Sequence, residues 1–232
     1  MAGTAVVDAA TAQSTALVVK LNPQASQYLY VRYLGGTVND SANAIAVDDA
    51  SNVYVAGSTR SPDFPITRGG NLGTPPTGVP SLGVPDQRSF VVKLDANGAV
   101  VFSDLIGGSA VSSAQAIAVN GSGQILITGS ISAASALPFP VTAGAYNIAN
   151  SAGHPYLLEL DSTGTKNIFA ATGIGGSAIA LDPSGNIYVA VRHICLTIPP
   201  RPKPFSPRFR SSASVQALPV VLARRTRGPI NT

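Results

Sequence analysis

The chain has 232 residues, of which 45 % are hydrophobic and only 11 % charged, with 23 glycines, 18 prolines and a formal net charge of +4. That length fits one large domain or two small ones, and the composition suits short strands joined by turns, not charged amphipathic helices or general disorder. The charge is unevenly placed: residues 1–190 carry seven Lys/Arg against eleven Asp/Glu, and residues 191–232 carry eight Lys/Arg and no acid, so the basic balance belongs to the tail.

The first residues, Met1 to Asp8, have neither a basic stretch nor a continuous apolar run and do not read as a signal peptide. Met1-Ala-Gly-Thr4 aligns with Val55-Ala-Gly-Ser58, which places the opening residues near the end of a strand whose hairpin partner is missing. Leu17-Val-Val-Lys-Leu21 is the next strand, and a glycine pair follows at Gly35-Gly36. Ala44-Ile-Ala-Val47 and Asn52-Val-Tyr-Val-Ala-Gly57 flank a polar turn and predict a hairpin. After a Pro/Gly-rich loop over residues 58–89, Phe90-Val-Val-Lys-Leu94 and Ala99-Val-Val-Phe-Ser103 flank Asp95-Ala-Asn-Gly98 as a second hairpin that leads to Gly107-Gly108.

The same order then returns. Ala116-Ile-Ala-Val119, the turn Asn120-Gly-Ser-Gly123 and Gln124-Ile-Leu-Ile-Thr-Gly129 repeat the first hairpin at a spacing of 72 residues. A loop over residues 130–155 leads to Tyr156-Leu-Leu-Glu-Leu160, the turn Asp161-Ser-Thr-Gly164 and the partner strand Lys166 to Ala170. Gly175-Gly176 precedes a third copy, Ala178-Ile-Ala-Leu181, Asp182-Pro-Ser-Gly185 and Asn186-Ile-Tyr-Val-Ala190. Two consecutive hairpins make a four-stranded antiparallel meander, and its tandem repetition predicts an all-β, propeller-like array of about three blades. A parallel β-helix has shorter repeats, and a simple sandwich does not account for near-identical blocks. The blade equivalents fall at about 1–43 (partial), 44–115, 116–177 and 178–190 (partial).

Tyr33-Leu-Gly-Gly36, Asn39-Asp-Ser-Ala-Asn-Ala-Ile-Ala-Val-Asp48, Asn52-Val-Tyr-Val-Ala-Gly-Ser58, Asp63-Phe-Pro-Ile-Thr67 and Phe90-Val-Val-Lys-Leu94 together resemble the bacterial SBBP repeat, named for a presumed seven-bladed β-propeller. Phe139-Pro140 and Thr142-Ala-Gly-Ala-Tyr146 continue the resemblance, which covers residues 16–190. It implies a non-enzymatic scaffold, or a protein- or glycan-binding module, of an exported or cell-surface bacterial protein, with no cofactor and no catalytic motif to carry over.

Three departures mark the array as incomplete. The opening residues fall inside a blade. Seven residues separate Gly36 from Ala44 and Gly108 from Ala116, whereas Ser177 alone separates Gly176 from Ala178, so the third crossover is tightened or its hairpin misplaced. After Ala190, where Gly is expected, the chain turns to Val191-Arg-His-Ile-Cys195 and a segment with seven prolines, which reads as a frame-shifted, disordered tail. Three blades are too few to close a ring, for which four to eight are usual. Open strand edges are therefore expected to pair with another copy or with further blades.

Residue chemistry adds little. His154 and His193 have no partner at metal-ligand spacing. Asp40, Asp48 and Asp49 offer oxygens to Ca²⁺, yet Ser112 replaces Asp40 in the second copy and turn capping explains them better. The glycine pairs Gly35-Gly36, Gly107-Gly108 and Gly175-Gly176 lack the Lys-Ser/Thr of a phosphate loop and read as turns between blades. Tyr54, Tyr188, Phe64 and Phe139 read as blade-packing aromatics before a sugar-binding groove. No catalytic, cofactor or metal residue is assigned. Lone Cys195 leaves no disulfide within the chain, and no run of 18 apolar residues predicts a membrane-spanning helix. A propeller enzyme whose site lies outside this chain is the competing class, and nucleic-acid or anionic-surface binding by the tail cations Arg201, Lys203, Arg208, Arg210, Arg224, Arg225 and Arg227 is a third, less favoured one.

Overall fold

The computed structural model describes residues 2–8, 13–67, 87–107, 111–131, 139, 141–145 and 154–191, with backbone alone for 2–8 and 13. Every element among them is a β-strand, so no helix there is long and apolar enough to cross a membrane. In chain order the strands are β1 Ala2–Asp8, β2 Gln13–Leu21, β3 Tyr28–Leu34, β4 Asp40–Val47, β5 Val53–Thr59, β6 Arg88–Leu94 and β7 Val100–Ile106. They continue with β8 Ser112–Val119, β9 Ile125–Ile131, β10 His154–Leu160, β11 Asn167–Thr172, β12 Ala178–Leu181 and β13 Ile187–Ala190.

Four antiparallel sheets result, none closed on itself: β1-β2-β3, β4-β5-β6-β7, β8-β9-β10-β11 and β12-β13. We call them the first to fourth sheets. The meander expected from the repeat is thus complete twice and partial twice. The strand-2 reading of the opening residues agrees with the register, since Gly3 faces Leu17 as Gly57 faces Phe90.

The predicted turns form for the expected reason. Gly98, Gly123, Gly164 and Gly185 all take positive φ, and Ser51 takes the same left-handed conformation (φ 64°) where the first copy lacks glycine. The innermost strands start earlier than the apolar blocks suggest. β4 begins at Asp40 and β8 at Ser112 because a bulge at Asn43 and at Gln115 re-registers each strand and carries pairing past the alanine block. The third copy keeps only the part after the bulge. Its crossover is tightened, and β12 still lies beside β8 and β9 as β8 lies beside β4 and β5.

Alternation puts one face of each sheet towards the previous sheet and the other towards the next. Between the first and second sheets, Ala16, Val18 and Leu34 pack on Val53, Val55, Phe90, Val92 and Leu94. Between the second and third, Tyr54, Ala56, Val91 and Phe102 pack on Ile117, Ile125, Ile127, Tyr156, Leu158 and Leu160. Strands buried on both faces read as continuous apolar runs, which is why Phe90-Val-Val and Tyr156-Leu-Leu show no polar alternation.

Candidate functional site

The residues that define the repeat converge on the crossover between one sheet and the next. Three successive backbone N–H groups point inward there, a concavity of the kind that binds anions. Each is taken by the chain's own side chains. Gly36 N–H donates to Asp40 Oδ2 (2.9 Å), Thr37 N–H to Asp63 Oδ1 (2.9 Å) and Val38 N–H to Ser61 Oγ (2.9 Å). The phosphate-loop reading therefore fails on occupancy as well as on motif.

Asp40 is 1 % exposed and accepts from three donors. Besides Gly36, these are the hydroxyls of Thr59 and Ser61, the latter at 2.9 Å. Asp63 takes a second bond from the Thr37 hydroxyl (3.0 Å), and the Thr37 N–H above all holds its carboxyl below the usual range. The segment after β5 is thereby stapled back onto the segment before β4. Glycine is required at both crossover positions: a Cβ on Gly35 would stand 2.2 Å from Asp40 Oδ2, and one on Gly36 2.3 Å from Asp63 Oδ1.

The second copy solves the same junction differently. Ser112 replaces Asp40 and Ile131 replaces Thr59 as its cross-strand partner. Ser112 Oγ instead accepts from the backbone and hydroxyl of Ser89 (both 3.1 Å), and Ser89 Oγ accepts from Tyr156 Oη (3.0 Å). Gly107 is kept there for its backbone, at φ +100°, while Gly108 lies outside the described residues. Gly175 and Gly176 press on backbone oxygens of Tyr156 and Ala190, and Thr128 Oγ1 accepts the Gly176 N–H at 2.7 Å.

Phe64 and Phe139 are buried in the cores on the face towards the previous sheet. Phe64 stacks on Phe90 (centroids 4.8 Å), and Phe139 meets Tyr156 at 4.7 Å in the equivalent place. Tyr54 is fully buried and donates to Asp48 Oδ2 at 3.0 Å; burial, and then that bond to a carboxylate, push its hydroxyl well above the ordinary tyrosine range. Asp48 also accepts from the backbone and amide of Asn52 (both 2.8 Å). The third copy repeats this clamp with Asp182, Asn186 and Tyr188, but Tyr188 is 37 % exposed. Asp40 and Asp48 flank β4 at opposite ends, about 25 Å apart at ordinary strand rise, so the three aspartates cannot share one Ca²⁺. Among the described residues no group of three His, Cys, Asp or Glu lies at metal-binding distance.

Three kinds of contact were missed. Tyr30 and Phe102 seat on the turn glycine of the next sheet, where a Cβ on Gly98 or Gly164 would stand 2.9 Å and 2.5 Å from their rings. Lys20 Nζ and Arg32 Nε lock the first of these turns on Ala96 O (2.9 Å) and Gly98 O (2.6 Å). An aromatic five residues ahead of the first two glycine pairs was the available signal. The loop motifs that contain Thr67 and Thr142 also have a job. Each threonine bonds an outermost strand, Thr67 N–H to Ser103 O (3.1 Å) and Thr142 N–H to Ala170 O (3.0 Å), with the hydroxyls accepting in return at 2.8 Å. The edges of β7 and β11 are strapped, which protects them from stray pairing.

His154 opens β10 opposite Ile131. His193, Cys195 and all the tail cations lie outside the described residues. No curated protein matches the chain. Residues 29–65 match the family described as SBBP, beta-propeller repeat. That span starts in β3, crosses the Gly35-Gly36 junction, includes the β4–β5 hairpin and ends just past the Asp63 staple, so this stretch is similar to a beta-propeller repeat.

Proposed function

We propose that the repeat array is a non-enzymatic scaffold, a protein- or glycan-binding module of an exported or surface-exposed bacterial protein. One observation carries this reading: the polar residues of the SBBP repeat are spent on the fold. Asp40, Asp63 and Ser61 fill the crossover concavity, and Asp48 and Asp182 clamp turns. A catalytic site instead needs polar groups converging on a place where substrate can sit. Surface placement follows from the family resemblance alone.

The test pairs two readouts on the 232-residue chain. Glycan-array and protein-binding screens are expected to give ligands, and a panel of hydrolase, lyase and dehydrogenase substrates to give no turnover. Asp40→Asn and Asp63→Asn are expected to lower the unfolding midpoint. Turnover that either substitution abolishes while the midpoint stays unchanged would sink the scaffold reading.

A further inference from the structure

The outermost strands of the sheets are not guarded alike. In the second sheet Val92 faces Ser103, and in the third Leu158 faces Ala170, at the same place in the register. Thr67 and Thr142 donate their N–H groups to the outward C=O of Ser103 and Ala170 (3.1 and 3.0 Å), and their hydroxyls accept the outward N–H of the same residues (2.8 Å). Three residues ahead of each threonine, Phe64 and Phe139 lie on Phe90 and Tyr156 of the strand beside it. Both straps read Phe-Pro-aliphatic-Thr, as Phe64-Pro-Ile-Thr67 and Phe139-Pro-Val-Thr142.

In the first sheet Val19 faces Val31 in that same register, with Leu17 at the place of Phe90 and Tyr156. The N–H and C=O of Val31 therefore point outward from β3, as those of Ser103 and Ala170 do from their strands. Each strap comes from the connection between the strands that precede it, residues 60–87 and 132–153. The corresponding connection, between β1 and β2, consists of residues 9–12 alone. Passing beyond β3 and returning to β2 takes about 24 Å at ordinary strand spacing. A connection of that length spans about 18 Å at most. This holds whatever precedes Met1, because both ends of the connection lie within the chain. β7 has a second guard, since Asp104 Oδ1 accepts the Leu105 N–H (2.8 Å). Arg32 stands at that position ahead of Tyr33; it cannot accept, and its Nε donates to Gly98 O. Among the described residues no hydrogen bond reaches the outer edge of Val31, and Val31 and Tyr33 are 40 % and 63 % exposed.

We propose that the outer edge of β3 binds an extended Phe-Pro-aliphatic-Thr segment of a second polypeptide, its threonine pairing with Val31 and its phenylalanine lying on Leu17. This is recognition at a strand edge, in which main-chain bonds hold the segment and a side-chain contact selects it. The chain itself names the occupant, because it places such a segment on the equivalent edge twice. The inference rests on the protein-binding reading above. Leu17 offers less surface than Phe90 or Tyr156, and a free peptide lacks the loop that holds a strap in place, so the complex is weak, in the millimolar range.

Titration of the full, isotope-labelled chain with a capped peptide of the sequence of residues 61–67, followed by nuclear magnetic resonance, tests this. Saturable shifts of the Val31 and Tyr33 amides are expected, with hydrogen exchange at Val31 slowed. Phe64→Ala in the peptide is expected to weaken binding by at least about tenfold, and Thr67→Val in the peptide by about fivefold. Val31→Pro in the chain removes an outward N–H that the pairing with β2 does not use. It is expected to abolish the Tyr33 shift while a dispersed amide spectrum shows the fold retained. The absence of a saturable shift at about 5 mM peptide, where a millimolar site is mostly filled, overturns the proposal. So does binding that Phe64→Ala in the peptide leaves unchanged. A Val31 amide already protected in the free chain overturns it as well, because the chain's own residues then cover the edge. The glycan and turnover screens decide the scaffold reading separately, so the two failures are distinguishable.

Discussion

Asp40 is the residue on which the first complete crossover depends, and removing its carboxylate tests the account most directly. Asp40→Ala leaves the Gly36 N–H and the Thr59 and Ser61 hydroxyls without their acceptor in a site 1 % exposed. A hydrogen bond to a charged group is worth about 1.5–3 kcal/mol, and part of that loss is offset because the carboxylate itself no longer has to be buried. Both hydroxyls can also turn elsewhere. The expected net cost is about 3–4 kcal/mol by this reasoning, read by urea denaturation as a lower midpoint at unchanged slope. The second copy supplies the control. There serine faces isoleucine, so Thr59→Ile added to Asp40→Ser removes donor and acceptor together. It is expected to cost less than the two single changes summed, by about 1–2 kcal/mol as coupling between direct partners. An Asp40→Ala chain within about 1 kcal/mol of wild type, or strict additivity in the cycle, refutes the staple as a source of stability.

Four further outcomes follow from the same contacts. Gly57→Ala puts a Cβ 1.9 Å from Ser41 O and 2.8 Å from the Phe90 ring, and the expected loss is at least about 3 kcal/mol in thermal or denaturant unfolding. Gly164→Ala meets both a φ of +70° and the Phe102 ring at 2.5 Å; in a Phe102→Ala background the ring clash is gone, so the glycine change is expected to cost measurably less there. Acid has a defined direction at Asp48: burial raises its carboxyl but the Asn52 and Tyr54 hydrogen bonds outweigh this and hold it below the ordinary 3.8, so its contribution is present above that value and is lost as pH falls through the folded value. Asp48→Asn is expected to flatten the fall in stability below about pH 4. Glu159 has the opposite sign, because burial raises its carboxyl; its ionised form costs stability at neutral pH, and Glu159→Gln is expected to raise the unfolding midpoint at pH 7 and to change little near pH 3.

The hairpins were legible because their signal is local. A polar turn residue, a left-handed fourth position and a short apolar run fall within a dozen residues, and the copies vary side chains while keeping that pattern. Ser51 is instructive: the first copy lacks the turn glycine, yet the Asp48 clamp still closes the turn. What could not be read is carried by single residues far apart in the chain. Asp40 answers Ser61 and Thr59, and its replacement by Ser112 made the position look unimportant. The Ser89, Ser112 and Tyr156 chain that takes over belongs to two sheets, and no spacing rule links its members. The same holds for Tyr30 on Gly98 and Phe102 on Gly164. Tyr54 and Tyr188 show the limit from the other side. Closely similar local sequence gives a buried and an exposed ring, because burial is decided by whether, among the described residues, a next sheet stands in front.

The span that matches the SBBP repeat is not a sheet, and this has a physical reason. Residues 29–65 begin on the outer strand of one sheet and end just after the second strand of the following one. A unit cut at the sheet boundary would separate Thr37 and Val38 from Asp63 and Ser61, and Gly36 from Asp40, which satisfy them. The span as matched keeps all six together. What recurs in the sequence is therefore the joint between sheets, with the meander strung between joints. A joint of this kind fixes the relation of each sheet to the next through local hydrogen bonds, and the apolar faces then need only be complementary in outline. That division explains how Tyr54 and Leu126, or Phe90 and Tyr156, exchange at one position without loss of the stacking. It also means that adding or removing a sheet changes the length of the array and leaves each joint intact.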